Sequence, residues 1–171
     1  MGMETRTSFE ISELREQHWQ QVRAIYAEGI ATGLATFETD IPSWESWDAR
    51  HLSCCRLIAQ DVETIKGWAA LSVVSARSVY AGVAEVSVYV GEKHRGEGVG
   101  RALLEALVRD SEQSGIWMLQ ASIFALNVAS VRLHARCGFR TVGSRERIAR
   151  LNGRWLDTIL MERRSLVVGV D

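Results

Sequence analysis

The chain has 171 residues, a formal net charge of −1, 47% hydrophobic and 24% charged residues. That length fits one domain, residues 1–171, with a sizeable buried core, and the composition excludes intrinsic disorder. The near-zero charge argues against a dedicated nucleic-acid binder; no apolar run reaches the roughly 18 residues of a membrane span, and MGMETRTSFEI has no apolar signal region.

The charge is unevenly spread. Residues 1–94 carry 8 Lys+Arg against 13 Asp+Glu, and residues 95–171 carry 12 against 8, with every basic residue of the second part an arginine. Guanidinium groups pair bidentately with carboxylate or phosphate, so a small anionic ligand fits; a solvated Arg-rich face fits as well. Cys54, Cys55 and Cys137 form no disulfide framework, which points to a reducing cytoplasm. They and the scattered His18, His51, His94 and His134 show no metal-ligand spacing, so no metal is expected.

In chain order, TSFEI reads as a short strand. Residues 12–30 have helical spacing through Leu14, Val22, Ile25 and Tyr26, with Ser12 as N-cap and Gly29 and Gly33 as terminators. ATGLATFET reads as a loop, and Pro42-Ser43 opens a second helix carrying Trp44 and Trp47. RLIAQD and IKGWAALSVV are strands around a turn at 62–64, and VAEVSVYV (83–90) is a third. HRGEGVG is a glycine-dense turn that feeds the helix RALLEALVRDSEQSG, in which Leu103, Leu104, Leu107 and Val108 share a face and Gly115 supplies the stop. A strand IWMLQASIF, a short helix NVASVRLHARCGF, and strands FRTVGSRERIA and GRWLDTILMER joined at Asn152-Gly153 complete the chain. The order β-α-α-β-β-β-α-β-α-β-β predicts an α+β domain around a mixed sheet. Trp44, Trp47, Trp68 and Trp117 are expected in the core or at an interface.

The turn Arg95-Gly96-Glu97-Gly98-Val99-Gly100 lies between a strand and a helix. A helix N-terminus has unpaired N–H groups and partial positive charge, and glycines allow close approach and positive φ, so the segment can cradle a phosphate. It lacks the Gly-Lys-Ser/Thr ending of a P-loop, and its glycine spacing and mid-chain position differ from the dinucleotide fingerprint.

Arg95-x-x-Gly98-x-Gly100 resembles the R/Q-x-x-G-x-G/A motif of the GNAT family of N-acetyltransferases. AEVSVYV, Asn127…His134-x-x-Cys137-Gly138-Phe139 and IATGLATFETDIPSWESWDARH resemble its phosphinothricin and methionine sulfoximine subgroup, over roughly residues 9–164. The resemblance implies a mostly antiparallel sheet with splayed strands flanked by helices, a single acetyltransferase domain and a homodimer. It implies acetyl-CoA as co-substrate, with Val88 and Val90 offering backbone to pantetheine, and Arg95, Gly96, Gly98, Val99, Gly100 and Arg101 cradling the pyrophosphate. Asn127 would touch the pantetheine arm, or cap the helix that follows it, or both.

Glu85 interrupts an otherwise apolar or small strand, where a carboxylate is costly unless exposed or paired. The resemblance makes it the base that deprotonates the acceptor amine; the bland alternative is a surface-facing strand residue. His134 stands where many family members have a tyrosine acid, and is a second base or acid or a structural histidine. Thr36 and Phe37 match the subgroup's acceptor loop, and Arg77 is a candidate for bidentate binding of an α-carboxylate, or a solvated loop residue. Tyr80 and Tyr89 line the site or pack, and Trp155 is left open between acceptor site and interface. Around Asn127 the run Phe124-Ala125-Leu126-Asn127-Val128 departs from the subgroup's pattern. The implied activity is acetyl transfer to a small amino-acid-like amine by direct attack. The alternatives are an inactive acyl-CoA sensor and an acetyltransferase for protein N-termini.

Overall fold

The structure is a computed structural model describing residues 9–170. Its centre is a seven-stranded sheet in the order β1-β2-β3-β4-β5-β7-β6. The strands are β1 (Glu10–Glu13), β2 (Leu57–Asp61), β3 (Thr64–Val73), β4 (Val83–Val90), β5 (Met118–Phe124), β6 (Arg140–Leu151) and β7 (Arg154–Arg164). Between them run helices α1 (Trp19–Ala31), α2 (Trp44–Arg50), α3 (Val99–Gln113) and α4 (Val128–Arg136). Neighbouring strands are antiparallel except β4 and β5, which are parallel. This is the expected mixed α/β architecture and element order.

Both sheet faces are covered because side chains alternate along each strand. Leu57, Ala59, Ala69 and Leu71 face one core with Leu103, Leu104 and Leu107 of α3. Ile58, Trp68 and Ala70 face the other with Val22, Ile25 and Tyr26 of α1 and Trp47 of α2. The Ser43 hydroxyl caps α2 by accepting from the Ser46 N–H at 3.2 Å. Gly115, at φ +78°, follows α3, and Asn152 and Gly153, at φ +48° and +79°, turn β6 into β7. Trp47 and Trp68 are fully buried, whereas Trp117 is only part-buried and Trp155 is 55% exposed with the Arg150 guanidinium over its ring.

Three expectations need correction. Ser12 is not a helix cap: it pairs with Ile58 in β1, where its hydroxyl accepts from Gln60 Nε2 at 3.1 Å. The helix starts only at Trp19, after a 3-10 turn over Glu16–His18. Gly29 does not end it either, because α1 runs to Ala31; an added Cβ at Gly29 would stand 2.7 Å from Tyr89 Cδ1, so this glycine admits the tyrosine ring. The strand expected at TSFEI starts at Glu10, its first two residues lying outside the described ones.

Leu107 is fully buried in the α3 core. Leu107→Ala removes packed methyl groups and leaves a cavity, so urea unfolding should show a loss of about 2–5 kcal/mol.

Candidate active site

β4 and β5 pair only through Val83–Met118, Ala84–Leu119 and Glu85–Gln120, and then part. Beyond that point β4 stays with β3, while Ala121–Phe124 of β5 stay with β7. The Gly91 N–H donates to the Lys66 carbonyl at 2.8 Å. Antiparallel ladder parity therefore turns the N–H and C=O groups of Val86, Val88 and Val90 away from β3, into the gap. Gly82, at the same parity, confirms the direction: its carbonyl accepts from Met118 N–H at 3.0 Å. A sheet interrupted this way offers backbone partners to an extended ligand.

A cavity of about 400 Å³ passes through the gap. Leu34–Glu38, Glu85–Tyr89, Ala121–Phe124, Asn127, Ser130, His134 and Thr158 line it. Thr36, Phe37, Glu85, Val88, Asn127 and His134 are thus brought together from three parts of the chain. Another cavity of about 400 Å³, near Cys54, Cys55 and Arg109, holds none of the expected site residues.

Glu85 stands where the strands part. Gln120 Nε2 donates to its Oε2 at 2.8 Å, which orients the carboxylate and leaves Oε1 for another partner. His134 is 4% exposed on α4. Its Nδ1 lies 2.8 Å from the Ser130 carbonyl, which only accepts, so Nδ1 carries the proton and Nε2 presents a lone pair. Burial lowers its pKa, outweighing the opposite effect of that hydrogen bond, so the ring is neutral at pH 7. Phe139 meets the imidazole edge to face at 5.1 Å.

The 34–38 segment is tied down on both sides. Asn127 caps α4 through Oδ1, which accepts from the Ser130 N–H at 3.2 Å, and its Nδ2 donates to the Leu34 carbonyl at 3.2 Å. Glu38 pairs with Arg50 at 3.1 Å. Phe37 packs against Phe124 at 4.6 Å, forming an apolar wall. Tyr89 stacks on Trp68 and meets Tyr26 edge-on, and burial raises its pKa, so its phenol stays protonated.

The glycine turn lies outside this cavity, at the start of α3. Gly96 and Gly98 have φ of +82° and +83°, no side chain caps the helix, and a Cβ at either position would meet nothing within 4 Å. The helix N–H groups therefore face open space. Gly100 is different: a Cβ there would meet Leu133 Cδ2 at 3.1 Å and Val90 Cγ2 at 3.3 Å, so it serves close packing. Val99 is buried beneath the turn, Arg95 is exposed, and Arg101 pairs with Glu105 at 2.7 Å. Lys66, paired with Glu97 at 3.2 Å and Asp61 at 3.0 Å, fixes the turn to the β2–β3 hairpin.

Arg77 is not brought to the cavity: it is exposed and lies over the Tyr80 ring at 5.4 Å. Neither it nor Tyr80 nor Trp155 lines the cavity. Gln120, Ser122, Ser130 and Thr158 belong to or support the site without having been singled out in the sequence. Strand alternation alone puts Gln120, Ser122 and Phe124 on one face, a signal that could have flagged the first two.

The acetyltransferase (GNAT) domain family matches residues 11–160. The chain is 34% identical, over 95% of its length and 86% of the relative's, to phosphinothricin N-acetyltransferase of Alcaligenes faecalis. It is 31% identical, over 82% of its length and 86% of the relative's, to an L-methionine sulfoximine/L-methionine sulfone acetyltransferase of Pseudomonas paraeruginosa. A phosphinothricin acetyltransferase from Sinorhizobium meliloti, solved in complex with AcCoA, superposes with a TM-score of 0.86 and 26% identity, covering 96% of this chain and 92% of that one. The chain belongs to the GNAT family of acetyltransferases and is an acetyl-CoA-dependent N-acetyltransferase.

Three histidines also set a pH dependence. Burial lowers the pKa of His134, His51 and His18 in the folded chain. Below about pH 6.5 the unfolded chain takes up protons that the folded chain does not, so stability falls with pH. Urea titrations at pH 7 and pH 5 should show this loss, and His134→Gln should make it smaller.

Proposed function

We propose that the enzyme transfers acetyl from acetyl-CoA to the α-amine of a small amino-acid-like acceptor of the phosphinothricin, methionine sulfoximine or methionine sulfone type. Transfer is by direct attack in a ternary complex. The observation that carries this reading is the Glu85 carboxylate at the mouth of the strand gap, in one cavity with the free Nε2 of His134.

The amine must lose a proton to become a nucleophile. Glu85, held by Gln120, accepts it directly or through one water, and neutral His134 assists from the α4 side. Among the described residues, the charged ones lining the cavity are Glu38 and Glu85, which suits an incoming ammonium group. The backbone of Val88 and Val90 supplies strand-like partners to the pantetheine amides, and an N–H there meets the thioester oxygen, where negative charge develops during attack. Arg95, Gly96, Gly98, Val99, Gly100 and Arg101 form the pyrophosphate cradle at the uncapped start of α3. Asn127 serves the pantetheine arm chiefly by fixing the wall beside it, since both ends of its amide hold protein partners. Thr36 and Phe37 cover the acceptor. Burial raises the Cys137 thiol's pKa, leaving it a poor nucleophile, which favours direct transfer over an acetyl-cysteine. We place the second copy of a homodimer at the β6–β7 ribbon, where Val142, Ile148 and Trp155 are exposed.

Thiol release from acetyl-CoA, measured across phosphinothricin, methionine sulfoximine, methionine sulfone, ordinary amino acids and peptides, tests the reading. Release is expected with the first group, and none with any acceptor would point to a sensor. Glu85→Gln should retain acetyl-CoA binding and lower kcat about 10²–10⁴-fold; unchanged turnover removes Glu85 as the base. Gly98→Val strains a positive-φ position and fills the cradle, so calorimetry on the folded variant should show acetyl-CoA binding lost.

A further inference from the structure

Among the described residues, Lys66 is the one lysine or arginine that is buried, at 5% exposed. A buried ammonium is costly unless it is paired. Its Nζ lies 3.0 Å from Asp61 Oδ2 and 3.2 Å from Glu97 Oε2. The pairing with Asp61 stays within the β2–β3 hairpin. Glu97 is 31 residues away, between Gly96 and Gly98 in the turn before α3. The Lys66 backbone holds the same segment, its carbonyl accepting from the Gly91 N–H at 2.8 Å. Gly67 lets the strand approach closely: an added Cβ there would stand 3.0 Å from a methyl of Val99, the first residue of α3.

Glu97 is the discordant residue of that turn. Gly96 and Gly98 at positive φ and an uncapped helix start suit an anion, whereas a carboxylate between them repels one. Two groups meet that carboxylate at the same oxygen. Lys66 Nζ is one; His94 Nδ1, at 3.3 Å, is the other and carries charge only when the ring is protonated, so Lys66 is the constant cation. The Lys66 hydrogen bond lowers the pKa of Glu97, and bonds to Asp61 and Glu97 raise that of Lys66, so the pair stays ionised at neutral pH. Arg101, the guanidinium on the first turn of α3, is committed to Glu105 at 2.7 Å.

We infer that Lys66 is a positioning residue for acetyl-CoA: by holding and neutralising Glu97, it lets a turn that contains a carboxylate bind the pyrophosphate. Its effect runs through Glu97 and concerns the phosphates, not the thioester or the acceptor. This rests on the pyrophosphate cradle proposed above and names the residue that makes the cradle competent.

Calorimetry of acetyl-CoA binding at one fixed salt concentration reads the effect in wild type, Lys66→Met, Glu97→Gln and the double variant. Lys66→Met leaves the carboxylate unmatched and should weaken binding about tenfold. In the Glu97→Gln background the same change should weaken it less than about threefold, because no charge is left to neutralise. Equal losses in both backgrounds mean that Lys66 only supports the fold and overturn the inference, as does no loss in either. Where Lys66→Met does not fold, Glu97→Gln decides alone. A charge already offset should yield a gain in affinity of less than about threefold on its removal, and a gain of about tenfold shows an unmasked carboxylate and overturns the inference. A donor without phosphates isolates the effect further. Lys66→Met should raise KM for acetyl-CoA and leave that for S-acetylpantetheine unchanged, and an equal rise for both donors overturns the inference. Gly98→Val keeps the two failures apart. If it retains acetyl-CoA binding, the cradle reading fails and this inference falls with it; if it loses binding while Lys66→Met binds as wild type does, the cradle stands and the inference alone fails.

Discussion

The parting of β4 and β5 after the Glu85–Gln120 row is the constraint on which the rest of the molecule depends. A continuous ladder would satisfy every backbone group of Val86, Val88 and Val90 and leave no place for a ligand. Ending it after three paired rows turns those groups into partners for an extended molecule while β3 still holds the strand on its other side. The same parting opens a passage through the sheet. Glu85 reaches it from a strand and His134 from a helix, so groups from opposite layers meet in one cavity.

An opening in a sheet needs firm walls, and much of the polar bonding near it is structural. Asn127 joins the start of α4 to the 34–38 segment with the two ends of one amide. Lys66, buried beside two carboxylates, holds the glycine turn through Glu97. The ion pair also offsets an acidic side chain within a turn suited to phosphate. Many later arginines have comparable duties. Arg163 pairs with Glu112, Arg140 with Glu162, and Arg164 binds the carbonyls of Trp117, Ser165 and Val168. Part of the basic character of residues 95–171 therefore belongs to the architecture, and Arg95 and Arg101 sit at the glycine turn.

The two catalytic candidates divide their chemistry by environment. Glu85 keeps one carboxylate oxygen on Gln120 and lines the cavity. His134 is deprived of water, fixed in one tautomer by a backbone carbonyl, and neutral. A histidine in that state can accept a proton at Nε2 but has none there to give.

Periodicity made most of the fold readable from the chain. Alternation along VAEVSVYV, the apolar stripe of Leu103, Leu104, Leu107 and Val108, the cap at Ser43 and the turn at Asn152-Gly153 are all set by residues close together in sequence. The glycine turn was legible for the same reason, since positive φ and an uncapped helix start need only local glycines. Ser12 misled because one polar residue before a helical pattern suits a cap and a strand equally, and only its bond to Gln60 decides. The site itself was decided by tertiary structure. Gln120 meets Glu85 across 35 residues and Asn127 meets Leu34 across 93, and no local pattern encodes either contact. Arg77 sits on Tyr80 outside the cavity, and Thr158 forms part of its wall, because three-dimensional packing determines which side chains reach a shared space.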